Sequence, residues 1–315
     1  MRSIIIATTA TVTLFSSPAF AQQPNQGAAS IPVFSGTWGH ISWPGFEPPA
    51  SGPGPVVNKS RRRQVRDADG RPLPVTNAPL VSDFYQLVGD YTNPILKSQA
   101  AEVVKRAGEV ALSGVPYPTP ANQCWLGGVP FVLWNIGMKM LQQPDKITIL
   151  YAFNHEFRQV RMNEPHPAHV TPSWYGDSVG YYEGDTLVID TVGVKIGPFA
   201  MVDMFGTPYT PALHVVERYQ LIDYEAAKEG LERDGKENFR FNPASNDSGL
   251  IVQPDYRGKH LQLQFTVEDE GVFTSPWSAT VTYRPASGDW PEWTCAENPY
   301  YFPGAAIPTA EKADF

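Results

Sequence analysis

"SWYGDSVGYYEGDTLVIDTVGV", residues 173–194, sets two short alternating runs, Gly180-Tyr181-Tyr182 and Thr186-Leu187-Val188-Ile189, on either side of Glu183-Gly184-Asp185. A turn between antiparallel strands needs residues that tolerate positive φ, and turn chemistry alone explains Gly184 and Asp185. Outward from this hairpin the period of two recurs. Ile147, Ile149, Tyr151 and Phe153 alternate with smaller or polar neighbours, as do Leu261, Leu263, Phe265 and Val267, and then Trp277, Ala279, Val281 and Tyr283. Short strands with one apolar face, joined by turns and without helices between them, predict a mainly β protein. The expected form is an antiparallel barrel of lipocalin-like character, to which "FSGTWG" at 34–39 adds a weak signal; the alternative is a two-sheet β-sandwich.

The segments around this domain read differently. Arg2, the apolar run Ile4 to Phe15 and Ala19-Phe20-Ala21 have the pattern of a secretory signal peptide over 1–21, with cleavage near Ala21. The apolar run is too short to span a bilayer, so the expected location is periplasmic or secreted, with no membrane span. Residues 22–92, rich in Pro, Gly, Ser and Asn, predict an extended arm holding a first strand at Phe34–Trp38. From Asn93 to Gly114 apolar residues recur at helical spacing, including Ala100, Val103, Val104, Ala107 and Val110. Asn93 is placed to cap that helix and Pro94 to open it. Residues 115–305 form the β domain, interrupted at 224–246 by a charged, partly helical surface insertion.

The net charge of −8 becomes −9 once Arg2 is removed, and the only basic cluster is Lys59-Ser60-Arg61-Arg62-Arg63. Nucleic acid is therefore not an expected partner. The chain has two cysteines, Cys124 and Cys295, and export favours their pairing. A closed loop of about 170 residues would stabilise by roughly 4 to 5 kcal/mol in the chain-entropy model.

Strand parity isolates the candidate chemistry. Leu213, Val215, Glu217, Tyr219 and Leu221 share one face, and His214, Val216, Arg218, Gln220 and Ile222 the other. The first row is the bulkier apolar one, so it should face inward and carry Glu217 with it. An inward carboxylate is either a general acid or base with a raised pKa, or half of an ion pair with Arg158 or Arg161 across the sheet. His214 faces outward unless a bulge turns it. His166 and His169 lie in the proline-punctuated loop "EPHPAHVTPSW", where His166 is a candidate proton shuttle oriented by Asp177, and Arg158 is a candidate to steer a carboxylate or stabilise an oxyanion. The catalytic candidates are thus Glu217, His166, Asp177 and Arg158. The ligand-binding candidates are His214, Arg218, Trp174 and Tyr182, with an aromatic lining drawn from eight tryptophans. No GxSxG elbow, Walker A, GxGxxG or HExxH spacing is present, and neither a metal nor a cofactor is expected.

Taken together in order, "PHP" at 165–167, "SWYGDSVGYYEGDTLVIDT" at 173–191, "LHVVERY" at 213–219 and "FTSPW" at 273–277 resemble a large family of secreted bacterial β-rich proteins. Its members typically read PHP, TWMGHSxGRWEGDTLVVDT, LHVVERF and YTKPW. "CWLGGVP" at 124–130 and "EWTCAEN" at 292–298 are similar to further motifs of that family, so the resemblance also supports pairing of Cys124 with Cys295. The chain departs from the pattern at Asp177, where the family has His, and at Tyr181 and Tyr182, where it has Arg-Trp. The resemblance carries no agreed activity. The expected function is cofactor-free acid/base chemistry of lyase, isomerase or hydrolase type on a small apolar or aromatic compound outside the cytoplasm. The alternative is a non-catalytic small-molecule carrier.

Overall fold

The computed structural model describes residues 31–40, 45–59, 87–113, 117–152, 154, 156–237, 250–253, 255–288 and 290. The signal-peptide segment, Cys295 and the last part of the insertion lie outside the described residues. Cys124 is described, and no free cysteine is found among the described residues.

Ten strands form one sheet: β1 (Gly36–Gly39), β2 (Gly137–Gln142), β3 (Lys146–Tyr151), β4 (Phe157–Met162), β5 (Asp177–Glu183), β6 (Thr186–Val192), β7 (His214–Ile222), β8 (Ile251–Val252), β9 (His260–Glu268) and β10 (Trp277–Ser287). The order runs β1-β2-β3-β4-β5-β6-β7-β9-β10, and β10 pairs back onto β1. The result is a closed nine-strand barrel, with β8 appended to the end of β10. The pairings are antiparallel with one exception: β4 and β5 run parallel through Arg161↔Val179 and Met162↔Gly180. The expected mainly antiparallel barrel is thus present, with this one parallel pair in its wall. The chain between Met162 and Asp177 does not make a tight hairpin; it doubles back and starts β5 at the end of the barrel where β4 began. We call that the upper end.

The hairpin that opens the sequence reading is β5–β6. Glu183 pairs with Thr186 across a two-residue turn, and Gly184 supplies its φ of +61°. A Cβ there would meet nothing within 4 Å, so backbone conformation alone selects glycine.

Period-two patterning fills the barrel. Ile147, Ile149, Val160, Leu187, Ile189, Val215, Tyr219, Leu261, Leu263, Phe265 and Val267 point inward and are essentially inaccessible. Interior space in a small barrel is occupied by side chains in this way. Before the barrel, α1 (Ser98–Leu112) buries Ala100, Val104, Ala107, Gly108 and Ala111 along one stripe and leaves Val103 exposed. It starts at Ser98, later than the Asn93 expected from sequence. Asn93 instead closes a preceding turn, its Oδ1 accepting the Ile95 amide at 3.1 Å. A second helix, α2 (Tyr224–Glu237), forms the first part of the insertion. The segment from Gly45 to Lys59 extends the barrel wall through Glu47, whose backbone exchanges hydrogen bonds with Thr280 of β10 at 3.0 and 2.9 Å. No helix among the described residues is long and apolar enough to cross a membrane.

Candidate functional site

The barrel wall divides the residues singled out in the sequence into two groups. On β4, Arg158 has inward parity and Arg161 outward; on β5, Ser178 is inward and Asp177 outward; on β7, Glu217 is inward and His214 outward. Arg158 and Glu217 therefore meet inside, while Asp177, His166 and His214 meet outside. The four catalytic candidates do not converge on one site.

Inside, Arg158 Nη2 donates to Glu217 Oε1 at 2.7 Å, with the two side chains 1% and 0% exposed. Arg158 Nε also donates to Ser178 Oγ at 3.0 Å, and Tyr219 Oη donates to the second carboxylate oxygen, Glu217 Oε2, at 2.7 Å. Ile189 and Phe265 flank Glu217 across the sheet. Of the two readings open for Glu217, the arrangement is that of the buried ion pair. A carboxylate engaged on both oxygens and sealed by apolar neighbours has no reacting partner, and the pair fixes which groups face each other in the core.

Outside, a chain of charged groups crosses β5, β6, β7 and β9. Arg161 Nη2 donates to both oxygens of Asp177 at 2.9 Å. Asp177 Oδ2 lies 2.7 Å from His166 Nδ1. His166 Nε2 lies 3.2 Å from Asp190 Oδ1, which is also 2.9 Å from His214 Nε2. His214 Nδ1 stands 3.6 Å from Glu268 Oε2. The hydrogen bond from His214 holds Asp190 below the usual carboxylate range, and the same bond holds His214 above the usual imidazole value. Both nitrogens of His166 face carboxylates, which makes it a clasp between the loop at 163–176 and the wall. No group of three or more His, Cys, Asp or Glu among the described residues is arranged to hold a metal ion. Arg218, outward on β7, pairs with Glu183. Tyr182 is inward near the lower end, where its hydroxyl accepts from Gln142 Nε2 at 2.7 Å. Neither of these two lies near the clasp's histidines in sequence register, and Tyr182 serves packing.

The upper end holds a group that the sequence reading passed over. Glu156 precedes β4, two residues before Arg158 and so on the same inward parity, and is 5% exposed. The Gly127 amide donates to its Oε1 at 3.3 Å. Burial raises its carboxyl to about 7, against the opposing pull of Tyr175 and that amide, and no cation contributes to the balance. Burial and Glu156 likewise raise the Tyr175 hydroxyl, which has no well-formed hydrogen bond. Glu156 lines a cavity of about 20 Å³ together with Gly127, Asn135, Phe131 and the ring of Trp125. That volume holds one water. Above it, Trp125 is 40% exposed and stands against Trp174 at 5.5 Å and Phe199 at 6.2 Å between ring centroids. Lys195 Nζ lies 5.0 Å from the Trp174 ring centroid. Tyr175 and Trp174 both hang from the loop that His166 clasps.

Two features set these side chains in place. The hairpin between β3 and β4 delivers Glu156 to the upper end, and the return of the chain before β5 brings Trp174 and Tyr175 beside it. Gly128 permits the loop's close approach, since a Cβ there would meet the Trp174 carbonyl oxygen at 2.6 Å. Trp174 thus stands with Trp125 and Lys195 at this end of the barrel, apart from the buried pair of Arg158 and Glu217. Comparison with protein-family models, curated proteins and solved structures finds no match to this chain.

Proposed function

We propose that this protein is an extracytoplasmic enzyme of hydrolase type acting on a small aromatic compound, with Glu156 as its proton-transfer group. The observation that carries the reading is a buried carboxyl, raised to about 7, bordering a water-sized cavity beneath an exposed aromatic surface. A carboxyl near the operating pH is present in both forms. As carboxylate, Glu156 takes a proton from a water held in the cavity while that water adds to the substrate. As acid, it returns the proton to the leaving group. The substrate ring rests on Trp125 and Trp174, and Lys195 meets a negative charge on it. Buried groups without a neutralising partner cluster at functional sites because the fold gains nothing from them. The resemblance to secreted bacterial proteins agrees with an extracytoplasmic setting and is silent on the reaction.

A screen of 4-nitrophenyl and naphthyl esters with wild type, Glu156→Gln and Trp125→Ala tests this. Turnover should fall by ~10² or more in Glu156→Gln with little change in KM. Trp125→Ala should chiefly raise KM. Turnover that survives Glu156→Gln would refute the assignment. The exposure of Trp125 beside Trp174 also favours a second reading, a carrier of aromatic ligands. That reading gains if aryl compounds quench tryptophan fluorescence equally in wild type and Glu156→Gln while no ester is turned over.

A further inference from the structure

A second cavity lies away from the barrel mouth, on the outer wall, and shares no residue with the site around Glu156. It is a cleft of about 340 Å³. Its floor is the solvent face of β9 and β10, where register sets Gln264 opposite Thr280 and Thr266 opposite Ser278. One side is α2, packed down through the buried Ala227 and Leu231; the other is the stretch that begins at Glu47 and continues through Pro48 and Pro49. Arg218, on neighbouring β7, closes an end.

We infer that this cleft is a binding site for a neutral saccharide of one or two rings. Its volume falls at the lower end of the range of small-molecule sites, about 300–1,000 Å³. The chemistry of the floor selects the ligand. Carboxamides and hydroxyls each donate and accept, as sugar hydroxyls do, so a row of them on a rigid sheet matches a polyol. The side chains of Gln262, Gln264 and Thr280 make no hydrogen bond to any described residue, which leaves their donors and acceptors for a ligand. The floor carries no charged side chain, and Arg218 at the end is already paired with Glu183, so the polar groups that a ligand meets on the sheet are neutral. Pro48 and Pro49 offer a flat C–H surface to the apolar face of a sugar ring.

Gly230 adds an independent observation. A glycine inside a helix costs about 1 kcal/mol relative to alanine. Here a Cβ would stand 2.9 Å from Thr282 Oγ1 and 3.5 Å from both Glu47 carboxylate oxygens. The helix is thus held close to the sheet at the edge of the cleft, and the cleft's width depends on it.

Titration of 15N-labelled full-length protein with cellobiose, maltose and sucrose, and with glucuronate and glucosamine as charged counterparts, tests the proposal. The expected result is millimolar or tighter binding of at least one neutral disaccharide, with shifts of the Gln262 and Gln264 side-chain amides. Gln264→Ala and Thr280→Val, both on the solvent face, should each weaken binding about tenfold with an unchanged melting temperature. The proposal is overturned if none of the three neutral sugars moves those amides, if only the charged sugars bind, or if both variants bind as wild type does. Ester turnover at the mouth should be the same with and without the sugar, so the two sites are judged separately.

Discussion

Replacing Glu156 by Gln should stabilise this protein at pH 8 and leave it nearly unchanged at pH 4.5. The folded chain raises the Glu156 carboxyl from the ordinary 4.5 to about 7, chiefly by burial. A raised carboxyl keeps its proton in the folded state after the unfolded state has lost it. Stability from this group therefore declines as pH rises from about 4.5 to about 7 and is flat above that. At 1.36 kcal/mol for each tenfold change in proton affinity, the full loss is about 3 kcal/mol. Gln is neutral throughout, and its Oε1 still accepts the Gly127 amide, so the variant should lack this decline. Urea denaturation of both proteins at pH 4.5, 6 and 8 measures it: the gain in the variant should grow from near zero to about 3 kcal/mol. A gain that does not vary with pH, or a loss at pH 8, would refute the claim that Glu156 is a desolvated acid without a counter-charge. The same substitution should abolish ester turnover, so stability and activity move in opposite directions, as they do where a fold tolerates an unfavourable group for its chemistry.

In the barrel interior, Glu217→Gln leaves the Arg158 charge without its partner and should cost about 3–5 kcal/mol, read as a fall in melting temperature; an unchanged melt would mean that the ion pair does not form. Gly184→Val puts a branched residue at φ +61° and should cost at least ~1 kcal/mol with no effect on turnover, and an unaltered denaturation midpoint would sink the turn assignment. At the clasp, His214 is raised by Asp190, so its contribution is full below about 6.5 and lost as pH rises through its higher folded value. Asp190, lowered by His214, works in the other direction, contributing above about 3.8 and failing in acid. His214→Gln should therefore destabilise more at pH 6 than at pH 8.5, and an equal effect at both would exclude the charge-based account.

The barrel was legible because its interior is built on period two, and a single row such as Leu213, Val215, Glu217, Tyr219 fixes which face is inward. That row placed Glu217 correctly and put His214 outside without a bulge. It also left Arg158 and Arg161 as alternatives, and the alternation within β4 decides for Arg158. The link from Asp177 to His166 was legible from the short loop between them. What was not legible was that the wall separates this dyad from Glu217, because the course of a proline-rich loop has no periodicity to read. Glu156 was missed for a related reason. It stands just before the strand, in "FNHEFRQV", where it resembles a turn residue, and only extension of the β4 parity back past Phe157 shows that it points inward. The helix start was misjudged at Asn93 because an Asx turn and a helix cap use the same side-chain chemistry.

A ring of strands that alternate in direction can close on itself only if their number is even. This barrel has nine, so somewhere around the circumference two neighbours must point the same way, whatever the sequence. The chain puts that unavoidable mismatch between β4 and β5, where only two residue pairs meet. The place where the circle cannot alternate is thus also a short seam, matched only by the two pairs that close β10 onto β1, and the segment that bridges it carries His166, Trp174 and Tyr175. Amide exchange should be faster at this seam than along the long ladders of β7 with β9 and β9 with β10. Trp174 and Tyr175 are mounted on the one arc that geometry forbids from being regular, and Arg161 of β4, donating to both oxygens of Asp177 on β5, acts as a rivet across it.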